Sequence, residues 1–354
     1  MSEIHQAVSL SENDSLTKVA AEISTQEAVQ VAQLYFGVTG TASRLISERD
    51  QNFHLTCTDG SYVLKFAHPG EDREVSNLQT EALLHIEKTD PGLPVQRVIR
   101  TMEGEVELRV TIGGEERTVR LVSYLEGQLL RHAPSTLNQK RNLGVVLARL
   151  GKALRNFDHP AANHTLVWDI QHAERLRGMV ADIQNAEHQG LLNTILDTFV
   201  EDVKPQYASM RTQIVHNDLN SDNALVSPEN PDEVAAVLDF GDMVRTPLIN
   251  DVAVGAAYQL GDPGQLLAGA KAFVAGYNSV TALKSDEFAL MYDLIMTRMV
   301  VRIAITEWRA ERFPENAEYI LRNTSRAWQQ LHALKAMDKN AVNAEFISAC
   351  QATS

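Results

Sequence analysis

Residues 214–226 read Ile214-Val215-His216-Asn217-Asp218-Leu219-Asn220-Ser221-Asp222-Asn223-Ala224-Leu225-Val226. Two apolar runs flank a polar loop. A second segment, Ala236-Val237-Leu238-Asp239-Phe240-Gly241-Asp242, ends an apolar strand-like run on an acid. Taken singly, an aspartate in a polar loop is usually solvated or turn-forming. The combination H-x-D-x-x-x-x-N, an apolar strand and D-F-G within about twenty residues is far more specific. Phosphoryl transfer needs a carboxylate to accept the proton of an attacking hydroxyl, oxygen ligands for a magnesium ion on the phosphates, and a cation to steady them. On this reading Asp218 is the base, and Asn223 and Asp239 are the metal ligands.

The cation is expected upstream. Tyr62-Val63-Leu64-Lys65-Phe66 puts a lysine inside an apolar strand, where it needs a partner. Glu81 on the following helix is the natural one; the alternative is that Lys65 snorkels to the surface. No G-x-G-x-x-G is present. The turn Ser47-Glu48-Arg49-Asp50-Gln51-Asn52-Phe53 stands where a phosphate-covering loop would be, and its Ser, Asn and backbone N–H groups either face phosphates or form an ordinary polar hairpin.

Residues 1–23 read as an arm. Ser24-Thr25-Gln26-Glu27 is a capping box opening a helix that stops at Gly37. Strands are expected at Arg44–Glu48, Gln51–Cys57 and Tyr62–Phe66, with Asp59-Gly60 as the hairpin turn. A polar helix from about Glu71 to Lys88 has Leu78, Ala82 and Leu84 to bury. Further strands follow at Val95–Thr101, Glu105–Thr111 and Thr118–Tyr124, with turns at Gly104 and Gly113-Gly114. Beyond Gly127 the pattern turns helical: Leu143, Val146, Leu147, Leu150, Leu154 and Phe157 lie at helical spacing, and a long helix is expected from Asp286 to Arg312 before Pro314. The layout is α+β. A β-rich lobe (24–122) is joined by a hinge (122–127) to a mostly helical lobe (123–354) with a small β insert.

With 354 residues, more than one domain is expected. A net charge of −14 argues against nucleic acid as a partner. Only Cys57 and Cys350 are present, so no disulfide framework or CxxC pair is visible, which fits a reducing compartment. The N-terminus lacks an apolar signal region and no run approaches a membrane span, so a cytoplasmic protein with no membrane anchor is expected.

These residues resemble the aminoglycoside phosphotransferase and choline kinase superfamily, and within it the hydroxylysine kinase group. The resemblance is carried by Asp50-Gln51-Asn52-Phe53-His54, Tyr62-Val63-Leu64-Lys65, Gln79-Thr80-Glu81, Val122-Ser123-Tyr124-Leu125-Glu126-Gly127, Phe157-Asp158-His159-Pro160 with Trp168-Asp169, and the two segments quoted first. It spans residues 26 to 330. It implies a protein-kinase-like two-lobe fold, ATP or GTP as co-substrate with Mg2+, and Asp218 as catalytic base. It further implies Asn223 and Asp239 on the metal, Lys65 paired with Glu81, and the Ser123–Leu125 backbone against the nucleobase. Many relatives carry Gly where this chain has Asn217. A left-handed turn there is one that Asn tolerates.

The acceptor implied is 5-hydroxylysine or another small amino alcohol. Homoserine, ethanolamine or choline, and an aminoglycoside are the alternatives, and a non-catalytic kinase-fold binding protein is the rival of another class. Asp242, Asp222 and Asp169 are candidates to hold a substrate ammonium. Arg245, Arg298 and Arg302 either bind a carboxylate or, for the two on the long helix, form structural salt bridges. Trp308 and Tyr258 read as core. A monomer or homodimer is expected.

Overall fold

A computed structural model describes residues 20–47 and 50–352. Most of the N-terminal arm and the turn residues Glu48 and Arg49 therefore lie outside the described residues.

The strands are β1 (Gly40–Leu45), β2 (Gln51–Cys57), β3 (Gly60–Phe66), β4 (Val98–Ile99), β5 (Leu108–Ile112), β6 (Glu115–Ser123), β7 (Gln128–Leu129), β8 (Thr212–Val215), β9 (Ala224–Val226), β10 (Val234–Val237) and β11 (Val244–Pro247). The α-helices are α1 (Thr25–Phe36), α2 (Arg73–Thr89), α3 (Leu137–Ala153), α4 (Arg177–Ala181), α5 (Ala186–Thr198), α6 (Leu248–Tyr258), α7 (Ala268–Asn278), α8 (Ser285–Arg312), α9 (Ala317–Leu321), α10 (Thr324–Lys335) and α11 (Lys339–Gln351).

The first sheet has the order β1-β2-β3-β6-β4, with β5 also on β6 and every pairing antiparallel. Period-two alternation splits its side chains between two faces. Phe53, Leu55, Leu64, Phe66, Val119 and Leu121 pack with Ile23, Ala28 and Val31 into a small core under α1. The register sets Asn52 beside Lys65 beside Arg120, and His54 beside Val63 beside Val122. These two rows form the opposite face, toward α2 and the cleft. The same alternation that closes the core thus lays a polar row across the cleft.

Ser24 and Glu27 form the expected reciprocal cap, and Gly37, at φ +67°, ends α1. The expected strand at Arg44–Glu48 begins earlier, at Gly40, because β2 pairs along its whole length up to Cys57. The expected strand at Val95–Thr101 shrinks to Val98–Ile99. There the Arg97 guanidinium turns back to the Pro91, Leu93 and Val95 carbonyls and holds the preceding loop instead.

The chain leaves β6 through Tyr124–Gly127. At Gly127 (φ +156°) a Cβ would come within 2.8 Å of the Leu225 side chain, so the link into the helical lobe passes where a side chain does not fit. Two small sheets, β10-β9-β7 and β11-β8, follow. They bring the loop after β8 and the loop after β10 side by side. Helix α8 spans about 42 Å and is buried along most of its length, against α5, α6, α10 and α11. It ends before Pro314, as expected. Among the described residues no helix is long and apolar enough to cross a membrane.

Since α8 is the mast of the larger lobe, Leu294→Ala, at a fully buried site, should destabilise the protein by about 2–5 kcal/mol. A denaturant midpoint left unmoved would contradict this.

Candidate active site

The loop 216–223 is held from both ends. His216 is fully buried, with Nε2 at 3.0 Å from the Leu238 carbonyl, and Nδ1 accepts the Asp218 N–H at 3.3 Å. A carbonyl only accepts, so Nε2 carries the proton. Burial holds the imidazole below its usual pKa and keeps it neutral. Phe240 meets the ring edge-on at 5.2 Å. Asn217 stands at φ +64°, the left-handed turn anticipated for it, and donates its N–H to Asp251 Oδ1 at 2.8 Å. Burial raises Asp251 to about 7. Asp239 is the other described non-glycine residue at positive φ (+58°). Left-handed residues gathered at one site are a mark of functional geometry.

Asp218 is clamped through both carboxylate oxygens. Oδ2 accepts from Asn220 Nδ2 at 2.8 Å and Asn223 Nδ2 at 2.7 Å. Oδ1 accepts from Arg298 Nη2 at 3.1 Å. The Asp218 side chain is 18% exposed and that of Arg298 is 1%, so the pair is shielded while the acid still reaches the cleft. Burial raises the Asp218 pKa well above the carboxylate range, and the charge of Asp242 adds to this; Arg298 opposes them. Arg298 also donates to the Trp168 carbonyl at 2.7 Å and to the Tyr258 hydroxyl at 3.2 Å. It was expected to bind a substrate carboxylate or a structural partner. It binds the base. Its contact with Asp218 spans 80 residues of chain, and no local signal announces it.

The donor set suits a hard cation. Asn223 uses its amide nitrogen on Asp218, and its Oδ1 makes no hydrogen bond among the described residues. Asp239 is exposed, with Oδ1 accepting the Gly241 N–H at 3.0 Å. The charges of Asp239 and Asp242 both act on Asp218, a concentration of negative charge that a divalent cation would relieve.

On the nucleotide side, Lys65 lines a small cavity with Gln79, Leu83, Gln96, Arg120, Val122 and Phe240. The expected ion pair is not formed: neither Lys65 nor Glu81 has an ionic partner among the described residues. The phase of α2 explains it. Ser76, Gln79, Thr80 and Leu83 face the sheet, and Glu81, two residues past Gln79, is turned about 200° away. Gln79 instead meets Arg120, whose guanidinium also donates to the Ser76 carbonyl at 2.9 Å and Thr80 Oγ1 at 3.3 Å. Arg120 went unnoticed in the sequence, although its strand alternation with Leu121 marks it as cleft-facing.

Asn52 and His54 share this face, and Asn52 Oδ1 and His54 Nε2 are buried without hydrogen-bond partners. The His54 ring stacks on Tyr124 at 3.9 Å. In the hinge, the Ser123 N–H goes to the Arg97 carbonyl, the Ser123 carbonyl accepts from Gln96, and the Tyr124 N–H goes to the Ser61 carbonyl. Ser123 is thus engaged by the protein itself. The Tyr124 carbonyl and the Leu125 N–H are among the hinge groups that make no hydrogen bond among the described residues.

The remaining candidates divide. Asp222 is bound by Arg131 and, at 3.6 Å, by Arg322. Asp169 is sealed from solvent, capping the turn at Gln171 (3.0 Å) and accepting from Thr246 Oγ1 (3.2 Å); burial raises it to about 6. Asp169 is closed to a substrate ammonium, whereas Asp222 keeps a partly exposed, ion-paired carboxylate. Arg245 pairs with Asp158. Asp242 is half-buried beside the base, and its charge also acts on Arg298. Trp308 is core, with Arg312 over its ring. Tyr258, expected as core, is partly buried against it and also lies against Arg298 and Arg302.

A β-rich lobe carrying Lys65, a connecting segment, and a helical lobe carrying the clamped Asp218 beside Asn223 and Asp239 define a phosphotransferase of the kinase fold. The chain belongs to the phosphotransferase enzyme family (APH), whose model matches residues 41–283. It is similar to the hydroxylysine kinase of Xenopus laevis, 26% identical over 347 residues covering 90% of this chain and 92% of that protein. It is likewise similar to the hydroxylysine kinase of Mus musculus, 25% identical with 84% and 85% covered. Among solved structures it resembles an amicoumacin kinase in complex with AMP-PNP, Ca2+ and Ami (TM-score 0.69, 14% identity, 90% and 97% covered). It also resembles a microcompartment-associated aminopropanol kinase (0.64, 19%, 91% and 94%). The protein is a small-molecule kinase acting on an alcohol group.

Two outcomes follow from the geometry. Arg298 stabilises the charged form of Asp218, so Arg298→Met should raise the Asp218 pKa further. The acid limb of the kcat/KM–pH profile, below which the base is protonated, should then move to higher pH. A limb that stays in place or moves down would remove Arg298 from that role. Glu81→Gln should leave kcat near wild type while Lys65→Ala lowers it, and comparable losses in the two variants would restore the pairing.

Proposed function

We propose that this enzyme transfers the γ-phosphoryl group of ATP or GTP to the hydroxyl of a small amine-bearing acceptor, 5-hydroxylysine or a related amino alcohol, in the presence of Mg2+. The observation that carries the reading is the clamp on Asp218. Three donors fix its carboxylate at the cleft, with a raised pKa suited to a general base. The similarity to hydroxylysine kinases over nearly their whole length supports the choice of acceptor.

In this reading the lobe 24–122 grips the nucleotide and the lobe 123–354 supplies the chemistry. Lys65 steadies the phosphates, with Asn52 beside it. The Leu125 N–H and Tyr124 carbonyl meet the edge of the nucleobase, and His54 backs the Tyr124 ring. Asn223 Oδ1 and Asp239 would hold the magnesium ion, which when bound neutralises phosphate charge. Asp218 orients the acceptor hydroxyl and takes its proton. Asp242 is the acid placed to meet the ammonium. The net charge of −14 steers cationic acceptors toward the protein.

A nucleoside-diphosphate release assay with 5-hydroxylysine, ethanolamine, homoserine and kanamycin, run with both nucleotides, tests this. 5-Hydroxylysine should give the highest kcat/KM. Kanamycin ahead by about tenfold, roughly 1.4 kcal/mol of transition-state preference, would overturn the small-acceptor reading. Asp239→Ala should shift the magnesium dependence more than Asn223→Ala, since a charged ligand is lost. Unchanged dependence in both would overturn the metal assignment.

A further inference from the structure

Arg298 and Arg302 stand four residues apart on α8, hence on one face and about 6 Å apart along it. Tyr258, the last residue of α6, lies against both, its ring 5.6 Å from the Arg298 guanidinium carbon and 4.4 Å from that of Arg302. The two arginines differ in one respect. Arg298 is neutralised by Asp218. Arg302 forms no ion pair among the described residues. Its contacts are the Tyr258 ring and Met299 Sδ, at 3.6 Å. Arg302 is half-buried, and an aromatic face compensates its charge only in part. Burial, with Arg298 beside it, lowers the Arg302 pKa, and the charge of Asp218 is among those acting on it. A cation in reach of the base, in a protein with a large excess of acid, has been left without an anion.

We propose that Arg302, backed by Tyr258, is the subsite for an acceptor carboxylate, and that the acceptor is an amino acid bearing a side-chain hydroxyl. A planar guanidinium whose face rests on an aromatic ring keeps its edge N–H groups for a bidentate carboxylate. One helical turn separates it from the arginine that holds the base. That spacing suits a molecule whose hydroxyl lies several bonds from its carboxylate. The inference rests on the acceptor reading above and narrows it: amino alcohols without a carboxylate become the poorer substrates.

The test compares 5-hydroxylysine with its carboxylate-free counterpart, 1,5-diaminopentan-2-ol, in wild type and Arg302→Gln. The wild-type enzyme should prefer the amino acid. In Arg302→Gln the ratio of the two kcat/KM values should fall on the order of 10²-fold. That ratio does not depend on the fraction of folded enzyme, and a merely structural role would depress both substrates together. An unchanged ratio, or a wild-type preference for the diamine, overturns the subsite. Calorimetric titration with lysine, which lacks the hydroxyl, separates the subsite from the acceptor reading. If no acceptor is turned over, yet lysine binds wild type and not Arg302→Gln, the acceptor reading falls and the subsite stands. If lysine binds neither protein, or both equally, the subsite falls.

Discussion

The structure turns on the burial of a carboxylate that has to remain reactive. Asp218 must lie out of water to be a stronger base than an exposed aspartate, and the same burial disfavours its charged form. Arg298 reconciles the two demands. It is shielded almost completely, so its attraction for Asp218 is weakly screened, and the Trp168 carbonyl and Tyr258 hydroxyl occupy its other donors. A buried ion pair is weak evidence for stability, because desolvation offsets the attraction. Its value here is geometric. It ties the catalytic loop to α8, and through α8 to the core of the helical lobe, so the base inherits the rigidity of that lobe.

The rest of the site extends this arrangement. In a strongly acidic chain the cations near the cleft are few and individually placed. Lys65 and Arg120 sit side by side because β3 and β6 pair in that register. Arg120 is held by α2 through Gln79, Thr80 and the Ser76 carbonyl. Lys65 has no such anchor among the described residues. The orphaned Asn52 Oδ1 and His54 Nε2 lie on the same face. Buried polar atoms are nearly always satisfied in a resting fold; Asn52 lies in the same row as Lys65 and Arg120, and His54 in the next row.

Much of this could be read from the residues. The capping box at Ser24, the Asp59-Gly60 hairpin and the end of the long helix before Pro314 are local signals, and local physics decides them. The spacing of Asp218, Asn223 and Asp239 was legible because one loop and one strand carry all three. The Lys65–Glu81 pair failed for a definable reason. On α2, Leu78 and Ala82 are sealed in the core as expected, Leu83 and Ile86 join them, and Leu84 is only partly buried against it. Glu81 lies two residues from Gln79, about 200° of helix away from the face that meets Arg120. The partner of Asp218 was illegible for another reason: Arg298 lies on a helix distant in sequence, and only the packing of α6, α8 and the Trp168 segment brings it to the base.

His216 shows how the two catalytic segments become one unit. Its ring has two nitrogens, and each is committed: Nδ1 to the Asp218 N–H, Nε2 to the Leu238 carbonyl next to Asp239. Protonating Nδ1 would break the first bond and place a charge in a fully buried position, and burial already holds the pKa down. The neutral ring therefore fixes the spacing between the backbone at Asp218 and the backbone preceding Asp239. The left-handed backbone at Asn217 and at Asp239 flanks this link on both sides. Each such residue is unfavourable by itself. Asp251 holds the first through the Asn217 N–H, and the turn bond from Gly241 N–H to Asp239 Oδ1 accompanies the second. The buried imidazole between them bonds to the backbone beside each, at the Asp218 N–H and the Leu238 carbonyl, and so ties the two left-handed turns into one unit.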